Sequence, residues 1–290
     1  MPNLFTLLLR RQLLGNRFST LFFQPSRYLV FSLVALLLST GGSALASTPR
    51  QLVQTRKLAQ SNTGQNVPAE LKNLLTQIDA AANRGDVKGV MQFYSPNFTH
   101  GDGLTRQNME KALTGLWQRY PQLKYSTELQ SWKPEGNAII AETVTNITTS
   151  SKSGNLVLNS TIKSRHRIAG AKVVRQEILS ERTQLTSGSK PPQIDIKLPQ
   201  QIKVGQQYNF DVIVQEPLGD DYLLGAALEE TIQPSKYLNP TPVELELLSS
   251  GGLFKVGQAP STPGNQWVSA VIMRGDGMTM VTQRVQVVQK

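Results

Sequence analysis

Two histidines, four carboxylates and two tyrosines are the side chains of this sequence whose types and placing suit acid–base chemistry. Proton abstraction beside a carbonyl needs a carboxylate base next to an apolar pocket, with one or two neutral donors for the developing oxyanion. Asp102, Glu142, Glu177 and Glu181 are the candidate bases, and Tyr94, Tyr125, His100 and His166 the candidate donors. Asp102 or Glu177 acting with Tyr94 or His166 is the catalytic set such chemistry would draw on. Tyr94, Trp117, Tyr125 and His166 are equally the candidate lining of a ligand cavity. Each also has a plainer reading. Aromatics at helical spacing pack cores, His166 can be a hydrogen-bonded core or rim residue, and His100 and Asp102 sit in a turn beside Gly101 and Gly103.

Other chemistries find less support. The two histidines are 66 positions apart, and zinc would need them together with carboxylates to complete its shell. Cysteine is absent, which excludes disulfides, thiolate sites, a cysteine nucleophile and a lipid-modified cysteine. No glycine-rich phosphate loop and no nucleophile elbow occurs. Glu229-Glu230 and Asp220-Asp221 are read as solvated loop charges, with calcium as the sharper alternative. No cofactor is called for.

The elements that must position these residues begin after a leader. Residues 28–38, YLVFSLVALLL, form an apolar run preceded by a basic, acid-free segment and followed by small residues at Ala44 and Ala46. Eleven residues are short for a membrane span, which needs about 20. Residues 1–46 are therefore expected to be a cleavable signal cut before Ser47, sending the chain to a periplasmic, lumenal or extracellular place with no stable membrane anchor. The formal charge of +10 follows the same division. Arg10, Arg11, Arg17 and Arg27 lie in the leader, which leaves 26 bases against 20 acids beyond it. With no long basic run there, no nucleic-acid partner is expected. Residues 47–67 read as a flexible linker.

From Pro68 to residue 187 helical periodicity gives way to strands. Leu71, Leu74, Leu75, Ile78 and Ala82 mark one buried helical stripe. Val87, Val90, Met91 and Tyr94 mark a short second helix ended by Ser95-Pro96-Asn97, followed by a brief extended piece from Phe98 to Gly103. Thr105 caps a third helix whose apolar side is Met109, Leu113, Leu116 and Trp117. After Pro121 the period becomes two, and four strands follow with turns at 134–137, 152–155 and 169–171. His166 shares a strand face with Ile162, Ser164 and Ile168, opposite a basic row of Lys163, Arg165 and Arg167 that is either solvated or meets an acidic partner.

The phrases NRGDVKGVMQFYSPNF and DGLTRQNMEKAL, the order of elements, and the closing pair of long strands resemble the NTF2-like (SnoaL-like, ketosteroid-isomerase-like) superfamily. The resemblance implies an α+β cone, three helices packed on a curved antiparallel sheet around a pocket, in residues 68–187. It also implies isomerase- or lyase-like chemistry in some members and plain binding or dimerisation in others. Asn97 stands where many relatives carry an acid, which tips the expectation away from an enzyme.

Ser187-Gly188-Ser189-Lys190-Pro191-Pro192 is a linker by composition. About seven short strands then argue for an all-β sandwich of immunoglobulin-like architecture over residues 188–290, with Trp267 at its centre. The function expected is an exported, non-enzymatic binding or interaction protein. It holds a small apolar ligand, or pairs with itself or with an envelope partner. A ketosteroid-isomerase-like isomerase or lyase and a structural envelope module are the alternatives.

Overall fold

The computed structural model describes residues 28–31, 67–149, 156–219, 221–275 and 277–289. Most of the expected leader, nearly all of the linker at 47–67 and the turn at 152–155 lie outside them. The chain divides into two units, one formed by the described residues of Ala35–Ser150 with Asn159–Glu181, the other by those of Met1–Val34 and Ser151–Leu158 with Arg182–Lys290.

In the first of these units, helix α1 (Ala69–Ala82) buries Leu71, Leu74, Leu75, Ile78, Ala81 and Ala82, the stripe that their spacing of three and four puts on one side. Its C-cap residue Asn83 fastens it to the sheet: the side chain accepts from the Tyr125 amide at 2.8 Å and donates to the Tyr125 carbonyl at 2.9 Å. Helix α2 (Val87–Met91) is capped by Asp86, which accepts from the Gly89 amide. Helix α3 (Arg106–Arg119) is capped by Thr105 and buries Met109, Ala112, Leu113, Leu116 and Trp117.

The extended piece is longer than expected. Strand β2 (Tyr94–His100) begins where the second helix was to continue. Pro96 holds Ser95 out of the helical region, and a parallel edge of β6 (Lys172–Ser187) supplies the pairing, with Tyr94 opposite Val173 and His100 opposite Gln176. Strands β3 (Leu123–Glu135), β4 (Ala138–Thr149) and β5 (Val157–Ala169) complete an antiparallel sheet in the order β3-β4-β5-β6. A register shift between Leu129 and Ser131 marks a bulge in β3, a device that bends a strand. The architecture is α+β, a large antiparallel sheet with few helices, compatible with an NTF2-like cone. The β5–β6 hairpin turns on two residues, Gly170 and Ala171, both at positive φ (56° and 55°).

The second unit is built almost wholly of strands. These are β7 (Ile194–Lys197), β8 (Gln201–Lys203), β9 (Gln207–Val214), β10 (Leu223–Thr231), β11 (Thr241–Glu244), β12 (Glu246–Leu247), β13 (Gly252–Gln258), β14 (Gly264–Arg274) and β15 (Gly277–Val288). One sheet runs β12-β10-β14-β15 and takes the end of β6, Arg182–Ser187, beside β15. The other runs β13-β9-β7. Tyr208, Phe210, Val212 and Val214 of β9 share one core with Val268, Ala270 and Ile272 of β14 and with Val285 and Val287 of β15. A short helix α4 (Pro234–Leu238) precedes β11. Strand β1 (Tyr28–Phe31) pairs antiparallel with β11.

Trp267 departs from its expected place. The core residues Val268, Ala270 and Ile272 are even-numbered, so the period of two puts Trp267 on the opposite face of β14. There its ring meets Tyr237 of α4 edge to face, with centroids 4.9 Å apart.

Candidate functional site

The inner face of the sheet in the helix-bearing unit is polar at its middle. Period-two alternation turns Ala141, Thr143, Thr145 and Ile147 of β4 inward, and with them Ser160, Ile162, Ser164, His166 and Ile168 of β5. Antiparallel register sets Ala141 opposite His166 and Thr143 opposite Ser164. Thr143 Oγ1 then lies 3.0 Å from His166 Nε2 on the diagonal. His166 is 1% exposed, and Thr143 and Ser164 are fully buried.

Tyr94 and Gln176 join this wall from β2 and β6. The Tyr94 hydroxyl donates to Gln176 Oε1 at 3.5 Å, and both residues are buried. Arg106, at the start of α3, donates to the carbonyls of Met91 and Tyr94 and so fixes the turn from which β2 leaves. Trp117 donates its indole N–H to the Tyr125 hydroxyl at 2.7 Å.

Among the described residues, four polar atoms of this interior have no hydrogen-bond partner: His166 Nδ1, Ser164 Oγ, Gln176 Nε2 and Thr145 Oγ1. Each such atom costs roughly 1–3 kcal/mol of desolvation while it stays unmatched.

The electrostatics are those of a neutral site. Burial pushes the His166 imidazole down to about 4, with a smaller contribution from His100. Burial likewise raises the phenols of Tyr94 and Tyr125 well above the usual range; the charge of Asp79 adds to the effect at Tyr94, and the Trp117 hydrogen bond opposes it at Tyr125. At neutral pH all three are uncharged.

The candidate carboxylates separate. Asp102 is inward: its side chain is 4% exposed and its carboxylate lies 3.6 Å from His100 Nδ1. The Asp102 amide donates to that Nδ1 at 3.1 Å. Glu177 is outward, its side chain 44% exposed and 3.5 Å from Arg165 Nη1. Glu142 shares the outer face, where Arg165 at 2.8 Å and Lys163 at 3.4 Å engage it. Burial would raise its carboxyl, but these hydrogen bonds and charges hold it below the usual value. Glu181 is buried in β6. The basic row of β5 is thus matched within the sheet, since Arg167 pairs with Glu135 at 2.7 Å. Glu142 and Glu177 fall on the same side as that row and do not join the inner wall.

Asp79 was missed. It sits on α1 one residue past the buried Ile78, and its carboxylate accepts from both the amide and the hydroxyl of Thr127 on β3. Burial raises it to about 6, against the lowering effect of the two Thr127 bonds. Its place at i+4 from Leu75, on the flank of the apolar stripe, was the available signal. Gln176 had no such signal. The first buried residues of β6 fall at 173, 176 and 178, so its alternation breaks where β2 joins.

In the all-β unit a groove of about 620 Å³ runs among β10, β11 and β13, lined by Leu228, Val243, Leu248 and Phe254 among others. Glu229 and Glu230 lie on β10 rather than in a loop. Glu229 accepts from Tyr208 and pairs with Lys255, and Glu230 pairs with Lys236. Asp221 pairs with Arg274; Asp220 lies outside the described residues. Among the described residues, no three His, Asp or Glu side chains are grouped to hold a metal ion.

Residues 189–288 match a family model described as a domain of unknown function, DUF8623. No curated protein matches the chain in sequence. Solved structures similar to part of it include NTF2-like and cystatin-like folds. AclR from Streptomyces galilaeus is 21% identical over 38% of this chain and 88% of its own, with a TM-score of 0.30. An LEH-like epoxide hydrolase from Mycobacterium tuberculosis is 9% identical over 38% of this chain and 80% of its own, TM-score 0.29. An NTF2-like protein of unknown function from Cytophaga hutchinsonii is 11% identical over 37% of this chain and 86% of its own, TM-score 0.24.

Proposed function

We propose that this is an exported, non-enzymatic binding protein. Its NTF2-like unit holds a small, mainly apolar molecule bearing a neutral hydrogen-bonding group. Its second unit is an immunoglobulin-like sandwich that offers a contact surface to an envelope partner. One observation carries the reading: His166 Nδ1, Ser164 Oγ, Gln176 Nε2 and Thr145 Oγ1 are buried on a single inner wall with no partner among the described residues. Buried polar groups in native proteins are almost always satisfied, so a set of orphans calls for a guest that satisfies them. A hydroxyl or carbonyl suits neutral His166, Ser164 and Gln176, and the aromatic rings of Tyr94 and Phe98, packed edge to face at 5.0 Å, suit an apolar body. Thermal-shift screening against a library of hydrophobic metabolites tests this. Binding should raise the melting temperature, and Ser164→Val with Gln176→Leu should cancel the rise; a library without a single such shift counts against the reading.

Asp79 favours a second reading, an isomerase or lyase of ketosteroid-isomerase-like type. A carboxyl held near 6 is poised to act as a base, and its charge is felt at Tyr94, a neutral donor. On this reading Asp79→Asn abolishes turnover of an enolisable ketone while the ligand still binds; equal turnover in the variant discards it.

A further inference from the structure

We infer that β11 is an acceptor edge for an extended apolar strand of a partner polypeptide, held by the chain's own leader until the leader is removed. The inference rests on the export reading above, and the kind of occupant is read from β1, which pairs with β11. Among the described residues β11 belongs to a two-stranded sheet whose other member is β1, in the register Tyr28–Glu244, Leu29–Val243, Val30–Pro242 and Phe31–Thr241. Pro242 has no N–H to give, so the pairs that exchange both backbone bonds are Val243 with Leu29 and Thr241 with Phe31. Residues 28–31 are the first four of the apolar run that the sequence marks for cleavage with residues 1–46. Cleavage takes β1 away and leaves these two donors and two acceptors of β11 open. An unpaired strand edge is a ready template for another strand.

The edge does not depend on β1 for its position. The Thr241 hydroxyl donates to Glu230 on β10 and accepts from Lys236, and Lys236 pairs with Glu230 at 2.9 Å. Val243 is buried. An acceptor held in place in advance loses little freedom when a strand adds. The groove of about 620 Å³ lies along the same strand, lined by Pro242, Val243 and Glu244 together with Leu228 and Phe254, and Phe254 is exposed. A partner strand therefore finds both backbone groups and a recess for side chains. A second copy of this chain cannot supply residues 28–31 once its own residues 1–46 are gone, so an apolar strand of that kind comes from a different polypeptide.

The test uses the full chain made by cell-free synthesis, where no export occurs, and the labelled peptide SRYLVFSL (residues 26–33). Leu29→Pro in the full chain should disable β1, because proline inside a strand removes a ladder donor. That chain should bind the peptide at least about tenfold more tightly than the unaltered chain, whose own strand competes. The same peptide N-methylated at the nitrogens of Leu29 and Phe31 should lose binding, and so should the Leu29→Pro chain that also carries Val243→Pro. Equal binding by the two chains, or by plain and N-methylated peptide, overturns the acceptor edge without touching the export reading. Mass spectrometry of the exported product addresses the other half. A product beginning at Ser47 supports the vacated edge; retention of residues 1–46 overturns the partner, because β11 then keeps its own strand.

Discussion

Thr143 and His166 meet across neighbouring strands, with Oγ1 3.0 Å from Nε2 and both side chains buried. The contact leaves Nδ1 as the imidazole's open position on the inner wall. Thr143→Val keeps the shape and removes the partner, so His166 would then have both nitrogens unmatched. The expected loss is about 1–3 kcal/mol in urea unfolding at pH 7. A change within a few tenths would show that this pair does not order the wall.

His166 should make the protein acid-sensitive. Its folded pKa, about 4, lies below the unfolded value of 6.5, so between these limits the unfolded chain binds the extra proton. The stabilisation is fully present above about pH 6.5 and is lost as pH falls toward 4, by an amount on the order of 3 kcal/mol at most. Unfolding midpoints measured from pH 7.5 to 4 should fall more steeply in the parent than in His166→Gln. Parallel curves would contradict the buried neutral imidazole.

Asp79 acts in the opposite sense. Its carboxyl is raised from 3.8 to about 6, so in that window the folded chain binds the extra proton and stability gains as pH falls. Asp79→Asn removes this counterweight, and the decline on acidification should become steeper than in the parent. An unchanged slope would mean that Asp79 titrates as an ordinary exposed acid, which also weakens the catalytic reading.

Ala171 occupies the left-handed region at φ 55°, in a two-residue turn whose other member is Gly170. A side chain there costs roughly 1–2 kcal/mol relative to glycine. Ala171→Gly should therefore raise the melting temperature, with a net gain of about 0.5–1 kcal/mol after the added chain entropy of the unfolded state. A fall in melting temperature would show that the turn is shaped by its neighbours instead.

Much of the helix-bearing unit is legible in the residues themselves. The stripes of α1 and α3 repeat at three and four because each helix has one core face, and the even positions of β5 predict that His166 and Ser164 share a side. What could not be read depends on contacts distant in sequence. Tyr94 continues the apolar pattern of α2, yet it starts a strand because the edge of β6 is there to pair with. Gln176 is inward only because the alternation of β6 slips beside that strand. Glu177 looked like a base by type alone, and its neighbour in the chain took the inward position. Trp267 is large and buried, which suggests a centre, but parity with Val268 assigns it to the other face. The orphan atoms of the inner wall are invisible in any local window, since being unmatched is a property of the assembled interior.

The central claim is that this wall meets a guest. Native mass spectrometry of the protein purified from its own source tests it most directly. The account predicts a mass excess from one small molecule, lost when Ser164→Val and Gln176→Leu are combined while the secondary structure is unchanged by circular dichroism. A bare chain mass in the parent, unaltered by adding the best compounds of the thermal-shift screen, would contradict it.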